Sequence, residues 1–339
     1  MSEHQALPFI SVIMPIRNEA DYIEQSLTAV LQQDYSSSQM EVIIVDGMST
    51  DETRDIVAQV AVRYPSIPVV ILDNPKHIVP TGMNIALAQA KGEIIVRVDG
   101  HCKIAPDYVS RCVAHLQKGD SVGVGGPIET MSETPSGETI ALAMQSSFGV
   151  GGSAFRTVKD RAMFVDTIAF PAYTRKAIEH AGLYDEELMR NQDDEYNYRL
   201  RALGYKILLT PDVRSQYYSR TSLRKLWRQY FQYGYYKVRV LQKHPAQMQL
   251  RQFVPPIFVA VLVGGAILAP LIPILLWLWL MVIGLYATVN ILASLRIASQ
   301  THWRHFTLLP LTFATLHLSY GLGFLKGLIS FRSRWRQAT

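Results

Sequence analysis

Cysteine is scarce in this chain: among 339 residues only Cys102 and Cys112 are cysteines. Neither sits in a C-x-x-C pair, which argues against a disulfide framework or a thiolate zinc site and for a reduced, cytosolic setting. Charge is thin as well. Charged residues make up 18% of the chain against 49% hydrophobic ones, below the usual quarter. The mean hydropathy of +0.10 is too mild for a polytopic transporter and too high for an ordinary soluble enzyme. A soluble catalytic part joined to a few membrane segments fits that composition. The opening residues MSEHQALPFISV lack a basic start and a long apolar run, so no signal peptide is expected and the first domain should stay in the cytosol. Glycine is missing where a dinucleotide fold needs it. The first strand runs into Met14-Pro15-Ile16-Arg17-Asn18-Glu19 with no Gly-x-Gly-x-x-Gly, which argues against a dehydrogenase. The net charge of +5 would suit nucleic acid, anionic lipid or phosphate-bearing substrates alike. No nucleic-acid-binding motif accompanies it, so nucleic acid is not expected as a partner.

What is present is an alternation of apolar strands with helical patterns. Phe9 to Met14, Val42 to Val45, Val69 to Leu72 and Ile94 to Val98 read as strands. Ala20 to Gln33, Thr53 to Arg63 and Asn84 to Ala90 read as helices between them. Such alternation predicts a largely parallel sheet with helices on both faces, and ligands bind at the carboxyl ends of such strands. Asp185 to Leu203 reads as a further helix that Gly204 ends.

Beyond Arg214 basic and aromatic residues interleave: Arg220, Arg224, Trp227, Arg228, Tyr230, Phe231, Tyr233, Tyr235, Tyr236, Lys237 and Arg239. Beside membrane segments this pattern predicts a helix lying in the headgroup plane. Phe253 to Leu295 carries no charged residue, and Pro270 and Pro273 break it midway, which predicts a hairpin of two membrane helices. A third apolar stretch, Phe306 to Ile329, contains Gly323-x-x-x-Gly327, a spacing that allows close helix contact. The tail's Arg332, Arg334 and Arg336 prefer the cytosol, which three full spans would deny them. The third stretch is therefore either interfacial or re-entrant.

Candidate chemistry collects at the strand ends. Asp46 ends the second strand and can accept a hydrogen bond from a ribose hydroxyl or a base N–H. Locally, Ser49 and Glu52 fit a capping box for the next helix. Asp99-Gly100-His101 follows a strand, and two ligands separated by glycine can turn toward one divalent cation, which would neutralise a diphosphate leaving group. His101 fits equally a hydrogen-bonded loop histidine. In Asn191-Gln192-Asp193-Asp194-Glu195 three successive acids either complement a helix start or supply a general base.

Taken together, Pro15-x-Arg17-Asn18-Glu19, Val45-Asp46-Gly47-x-Ser49-x-Asp51, Asn84-x-Ala86 before Ala90-x-Gly92-Glu93, Asp99-x-His101, and Asp193 followed by Arg199-Leu200 resemble family 2 glycosyltransferases of the GT-A fold. Phe148-Gly149-Val150-Gly151-Gly152-Ser153, Gln192-Asp193-Asp194-Glu195-Tyr196-Asn197 and Gln229-Tyr230-Phe231-Gln232-Tyr233-Gly234 are similar to members that act in exopolysaccharide biosynthesis. The resemblance implies an α/β, Rossmann-like mixed sheet with helices on both faces, followed by an α-helical membrane region. It divides the chain into a cytosolic catalytic domain (1–215), an amphipathic interface segment (216–250) and membrane-associated helices (251–339), placed at the inner membrane.

Roles follow residue by residue. Pro15, Glu19, Asp46 and Asn84 would line the nucleotide pocket, with Arg17 and Asp51 nearby. Asp99 would meet the donor, and with His101 it would hold Mn²⁺ or Mg²⁺. The family usually has aspartate at the second ligand position, so His101 is a departure. Asp193 would be the base, with Asp194 its rival. The implied reaction is inverting transfer of a hexose, glucose by resemblance, from a UDP-sugar to a hydroxyl of a polyprenyl-diphosphate-linked saccharide. Arg224, Arg228 and Gln229 would meet that acceptor. The Gln-x-x-Arg-Trp of processive synthases is absent: Leu226-Trp227-Arg228-Gln229-Tyr230 stands there. The alternatives are a polyprenyl-phosphate sugar synthase and a noncatalytic membrane scaffold.

Overall fold

The structure is a computed structural model of the chain, describing residues 7–132, 134–218 and 222–337. Arg220 lies outside the described residues, as does the Arg336 side chain. The chain divides into two units: the first comprises residues up to Glu129 with Ala154–Tyr218, the second Thr130–Ser153 with the remainder.

The first unit opens with strand-helix alternation: β1 (Ile10–Ile16), α1 (Ile23–Leu31), β2 (Met40–Asp46), α2 (Thr53–Arg63), β3 (Val69–Asp73), α3 (Val79–Gln89) and β4 (Ile94–Arg97). Next come β5 (Cys102–Ile104), α4 (Tyr108–Leu116), β6 (Gly123–Gly125) and β7 (Ile128–Met131). In the second unit lie α5 (Pro135–Met144) and α6 (Ser147–Val150). The first unit then resumes with α7 (Ala154–Thr157), β8 (Met163–Phe164), β9 (Ala172–Thr174), α8 (Arg175–Ala181), α9 (Gln192–Ala202), β10 (Ile207–Leu209) and β11 (Ser215–Tyr218).

Its main sheet has the order β3-β2-β1-β4-β9-β6-β10-β8. β1 pairs in parallel with β2 and β4, and β9 enters antiparallel between β4 and β6, so the sheet is mixed. Alternation along each strand sends apolar side chains to two cores. Ile10, Val12 and Met14 join Leu27 and Val57 under α1 and α2, with Tyr108 and Cys112 of α4. Ile13, Ile43 and Ile95 face the other way, toward Met83, Ala177, Tyr196 and Leu200 of α3, α8 and α9. Pro15, which has no N–H to give, sits two residues past Ile13, where the β1–β4 ladder ends. Beyond that point the two strands part, and the candidate residues lie at these strand ends.

α2 runs over Thr53–Arg63 as expected, but one capping motif and one helix start differ from expectation. Thr53 opens α2 with Glu52 as its cap residue, and no side-chain capping bond is made there. Ser49 serves Asp46 instead of a capping box. Residues 185–191 are not helical, because Asn191 adopts a left-handed φ of 64° and α9 begins only after it.

In the second unit, α10 (Leu223–Lys243), α11 (Val254–Leu268), α12 (Pro273–Gln300) and α13 (Leu309–Ser330) complete the chain's helices. Leu250–Leu268 and Pro273–Gln300 are long and apolar enough to cross a membrane, and only 11% and 6% of their apolar windows is buried. α13 packs closely on α10. A Cβ on Gly234 would lie 2.0 Å from the Tyr320 carbonyl oxygen, and one on Gly323 2.0 Å from that of Phe231. Glycine removes the side chain that would hold these backbones apart.

Candidate active site

The loops after β1 and β2 are stitched together by short polar contacts. Asn18, at a left-handed φ of 52°, donates its N–H to Ser49 Oγ at 2.8 Å and accepts from the Thr50 amide at 2.9 Å. The Glu19 amide donates to Thr53 Oγ1 at 2.8 Å, and that of Ala20 to Asp51 at 3.2 Å. Asp51 also accepts from the Thr53 hydroxyl at 2.5 Å. Burial would raise its pKa, but these hydrogen bonds outweigh burial and hold it below the usual carboxylate range. Asp46 is wholly buried. Its carboxylate accepts from Ser49 Oγ at 2.5 Å and from Arg54 Nη1 at 3.0 Å. Arg17 is exposed and lies over Gly47, where a Cβ would sit 3.1 Å from the Arg17 Cβ.

Glu19 carries this stitched loop to the strand-end ligands. His101 Nδ1 donates to Glu19 Oε1 at 2.8 Å, which fixes the tautomer and leaves Nε2 as the nitrogen with a lone pair. Asp99, two residues before, is held by Arg97: Nε to Oδ1 at 2.9 Å and Nη2 to Oδ2 at 3.3 Å. The same guanidinium turns its Nη1 to Oδ1 of Asp193, in the first turn of α9. Arg97 is only 5% exposed. Burial works against its charge, yet the carboxylates of Asp193 and Asp99 more than offset it and keep it protonated. Asp193 is itself pushed up by burial; the Arg97 charge opposes this and the nearby Asp99 adds to it. A third of its side chain still reaches solvent (32%), as a group meeting a substrate requires. Asp194 is half-buried one position on, turned by about 100° around the helix.

Asn84 is bonded to a different segment. Its amide donates to the Tyr184 carbonyl at 3.0 Å and to Glu186 at 3.1 Å, and its oxygen accepts the Tyr184 N–H at 2.8 Å. It clamps the segment leading to α9, and the Tyr184 ring stacks on Tyr196 of that helix at 4.1 Å. Arg224, Arg228 and Gln229 lie on α10 in the second unit. Both arginines are exposed. Gln229 is buried and donates to the Tyr233 hydroxyl at 2.9 Å.

Among the described residues no three His, Cys, Asp or Glu side chains cluster to hold a metal ion by themselves. Of the pair expected to hold a cation, Asp99 has both oxygens on Arg97 and His101 has Nδ1 on Glu19, so any further ligands would have to come from substrate phosphates and water. Sequence reasoning overlooked Arg97. Its signal was a lone charge inside Ile94-Ile95-Val96-Arg97-Val98, since a cation buried in a strand requires a carboxylate partner.

Comparison with known proteins gives the family and the fold. The Glycosyl transferase family 2 model matches residues 11–181. The chain is 32% identical, over 95% of its length and 96% of the relative's, to the succinoglycan biosynthesis protein ExoA of Rhizobium meliloti (strain 1021). It is 28% identical, over 97% of its length and 99% of the relative's, to a Methanococcus voltae protein. That protein is named dolichyl N-acetyl-alpha-D-glucosaminyl phosphate 3-beta-D-2,3-diacetamido-2,3-dideoxy-beta-D-glucuronosyltransferase. The mannosyltransferase PcManGT from Pyrobaculum calidifontis, solved with GDP-Man and Mn²⁺, superposes with a TM-score of 0.65 at 18% identity, covering 96% of this chain and 88% of that one. The likeness extends to the GT-A fold.

Proposed function

The chain belongs to glycosyl transferase family 2, and from that premise we propose that it is an inverting, membrane-bound enzyme of polysaccharide or lipid-linked glycan biosynthesis. It moves a hexose from a nucleotide diphosphate sugar, a UDP-sugar in the first instance, to a hydroxyl of a polyprenyl-diphosphate-linked saccharide. The observation that carries this reading is the bridge from Asp99 through Arg97 to Asp193. It joins a donor-side carboxylate to a partly exposed acid that can take a proton. A transfer to a hydroxyl needs both.

In the proposed mechanism Pro15, Arg17, Glu19, Asp46 and Asp51 form the nucleotide side of the site, and the hydrogen bonds of Glu19, Asp46 and Asp51 to Thr53, Ser49, Arg54 and Ala20 order it before substrate arrives. Asn84 supports the wall from behind through Tyr184. Asp99 and His101 Nε2 would hold a divalent cation, Mn²⁺ or Mg²⁺, which when bound neutralises the diphosphate as a leaving group. Asp193 accepts the proton of the acceptor hydroxyl as that oxygen bonds to the anomeric carbon and the carbon–phosphate oxygen bond breaks. One displacement inverts the centre, so no sugar is left on the enzyme. Two apolar helices and the exposed Arg224 and Arg228 suit an acceptor whose phosphates sit at a membrane surface. The name of the Methanococcus voltae relative, which prints a dolichyl-phosphate-linked sugar, supports a lipid-linked acceptor. The catalytic part, residues 1–215, would face the cytosol, with 216–250 at the interface and 251–339 in or on the inner membrane.

The test is nucleoside diphosphate release from a panel of UDP-, GDP- and dTDP-sugars by the detergent-purified chain, with Mn²⁺, Mg²⁺ or EDTA, with and without membrane lipid extract. Release that requires both metal and extract is expected. Release unaffected by EDTA would refute the metal assignment, and an Asp193→Asn enzyme with near-normal turnover would refute the base and favour transfer to a polyprenyl phosphate.

A further inference from the structure

We propose that Arg97 is a positioning residue for transfer, one whose guanidinium holds Asp193 at a fixed place relative to Asp99. The inference rests on the reading of Asp193 as the base. The two acids come from separate elements. Asp99 follows β4 and is anchored to Arg97 by only one intervening residue, whereas Asp193 lies 96 positions from Arg97 in the first turn of α9. Alternation along β4 turns Arg97 to the side of Ile95, the face on which α9 packs through Tyr196 and Leu200.

The fork engages Asp99 through Nε and Nη2 and leaves Nη1 for Asp193. A planar guanidinium thus fixes the direction between the two carboxylates as well as their charge balance. Without it, two acids that share one buried cation would repel one another, and among the described residues the other side-chain contact of the Asp193 carboxylate is Gln192 at 3.4 Å. Both carboxylates lose a contact, but Asp99 would keep the divalent cation proposed for it as a second anchor, whereas Asp193 keeps only Gln192. Loss of Arg97 therefore strikes the chemical step more than donor binding. A merely structural ion pair behaves otherwise: removing one partner of it leaves uncompensated buried charge and lowers stability, while turnover per folded molecule stays unchanged.

The full-length chain would be purified in detergent as wild type, Arg97→Lys, Arg97→Met, Asp193→Asn and both double variants. Nucleoside diphosphate release from the same nucleotide-sugar panel with lipid extract gives kcat and donor KM, and calorimetry gives Mn²⁺-dependent UDP and GDP binding. With Arg97→Met, kcat should fall ~100-fold, the scale of a small misplacement of a reacting group. Arg97→Lys, which keeps charge and loses the fork, should fall about 10-fold, with donor KM and diphosphate binding within about threefold of wild type in both. In the Asp193→Asn background either substitution should cost less than about twofold more, because the two residues act as one unit.

Turnover within about twofold of wild type in both Arg97 variants overturns the proposal, as does an equal loss in the Asp193→Asn background. If Arg97→Met neither melts cooperatively nor binds diphosphate, the Arg97→Lys pair decides by the same criteria. An active Asp193→Asn enzyme would sink the base assignment itself. An inactive one beside active Arg97 variants would sink only the inference.

Discussion

Gly100 separates the two candidate metal ligands, and Glu19 is the reason that glycine stands there. A Cβ at position 100 would lie 2.8 Å from Glu19 Cγ and 3.1 Å from Ile16 Cγ2. Gly100→Ala must displace Glu19 and take from His101 its hydrogen-bond acceptor. We expect Mn²⁺-dependent UDP or GDP binding to weaken ~10-fold, the usual cost of losing a partner behind a metal ligand; calorimetry showing unchanged affinity would mean that Glu19 supports nothing there. Asn84 invites the opposite expectation. Its side chain is spent on Tyr184 and Glu186, so Asn84→Ala leaves the buried Tyr184 amide unpaired at a cost of about 1–3 kcal/mol. The melting temperature should drop while diphosphate affinity stays within about threefold, and a selective loss of affinity would return Asn84 to the pocket. At this scale the sequence was informative where chemistry stands out against its surroundings. Asp99, His101 and Asp193 are polar residues at the ends of apolar or helical runs. Arg97 was hidden because its second partner is 96 residues away, and no local pattern announces that meeting. Asn84 was visible as a position, but its partners were not.

At the scale of elements, strand alternation made β1, β2 and β4 legible, since the two cores they separate are written into odd and even positions. The start of α9 was not, because one left-handed residue, Asn191, ends a turn that propensity alone would have made helical. The join between α4 and the β10–β11 turn was equally invisible. His115 Nε2 lies 2.9 Å from Asp212, and Thr210 donates to Asp212 at 2.5 Å. Burial would raise the Asp212 pKa, but the Thr210 and His115 hydrogen bonds prevail and lower it. A carboxylate depressed in the folded state stabilises above its unfolded pKa of about 3.9 and loses that contribution as pH falls through the folded value. Asp212 is 38% exposed, so the pair contributes no more than about 1 kcal/mol. Asp212→Asn should lower the melting temperature by about 1–2 °C near neutrality, with the difference shrinking as pH falls below the unfolded value and through the folded one. A difference that persisted in acid would assign it to packing. The α10–α13 crossing was partly legible through Gly323-x-x-x-Gly327. Gly323→Val would drive a side chain into the Phe231 carbonyl, whereas Gly264 has open space around it. Gly323→Val should abolish a cooperative melt and Gly264→Ala should not; equal behaviour would refute the close crossing.

For the whole molecule the outstanding question is how the chain meets the membrane, and two spans answer it better than three. Among the described residues, the helices of sufficient length and apolarity are Leu250–Leu268 and Pro273–Gln300. α13, by contrast, buries Leu309, Thr312, Phe313, Leu316, Ser319, Gly323 and Gly327 within its own unit, a stripe that lipid would not need. A hairpin of two spans would return the chain to the side from which it left, so the catalytic residues and the tail's Arg332 and Arg334 would share one face, in line with the preference of basic residues for the cytosol. The two native cysteines are buried and should stay silent toward a membrane-impermeant maleimide, so single introduced cysteines can report topology. Leu271→Cys, between the spans, should label in intact cells. Arg334→Cys should label only after the membrane is opened. Labelling of both positions in intact cells would establish a third crossing by α13 and place the arginine tail outside, against the positive-inside bias. Labelling of neither would show that the hairpin does not cross, which leaves the apolar faces of α11 and α12 lying on one leaflet with the catalytic unit beside it.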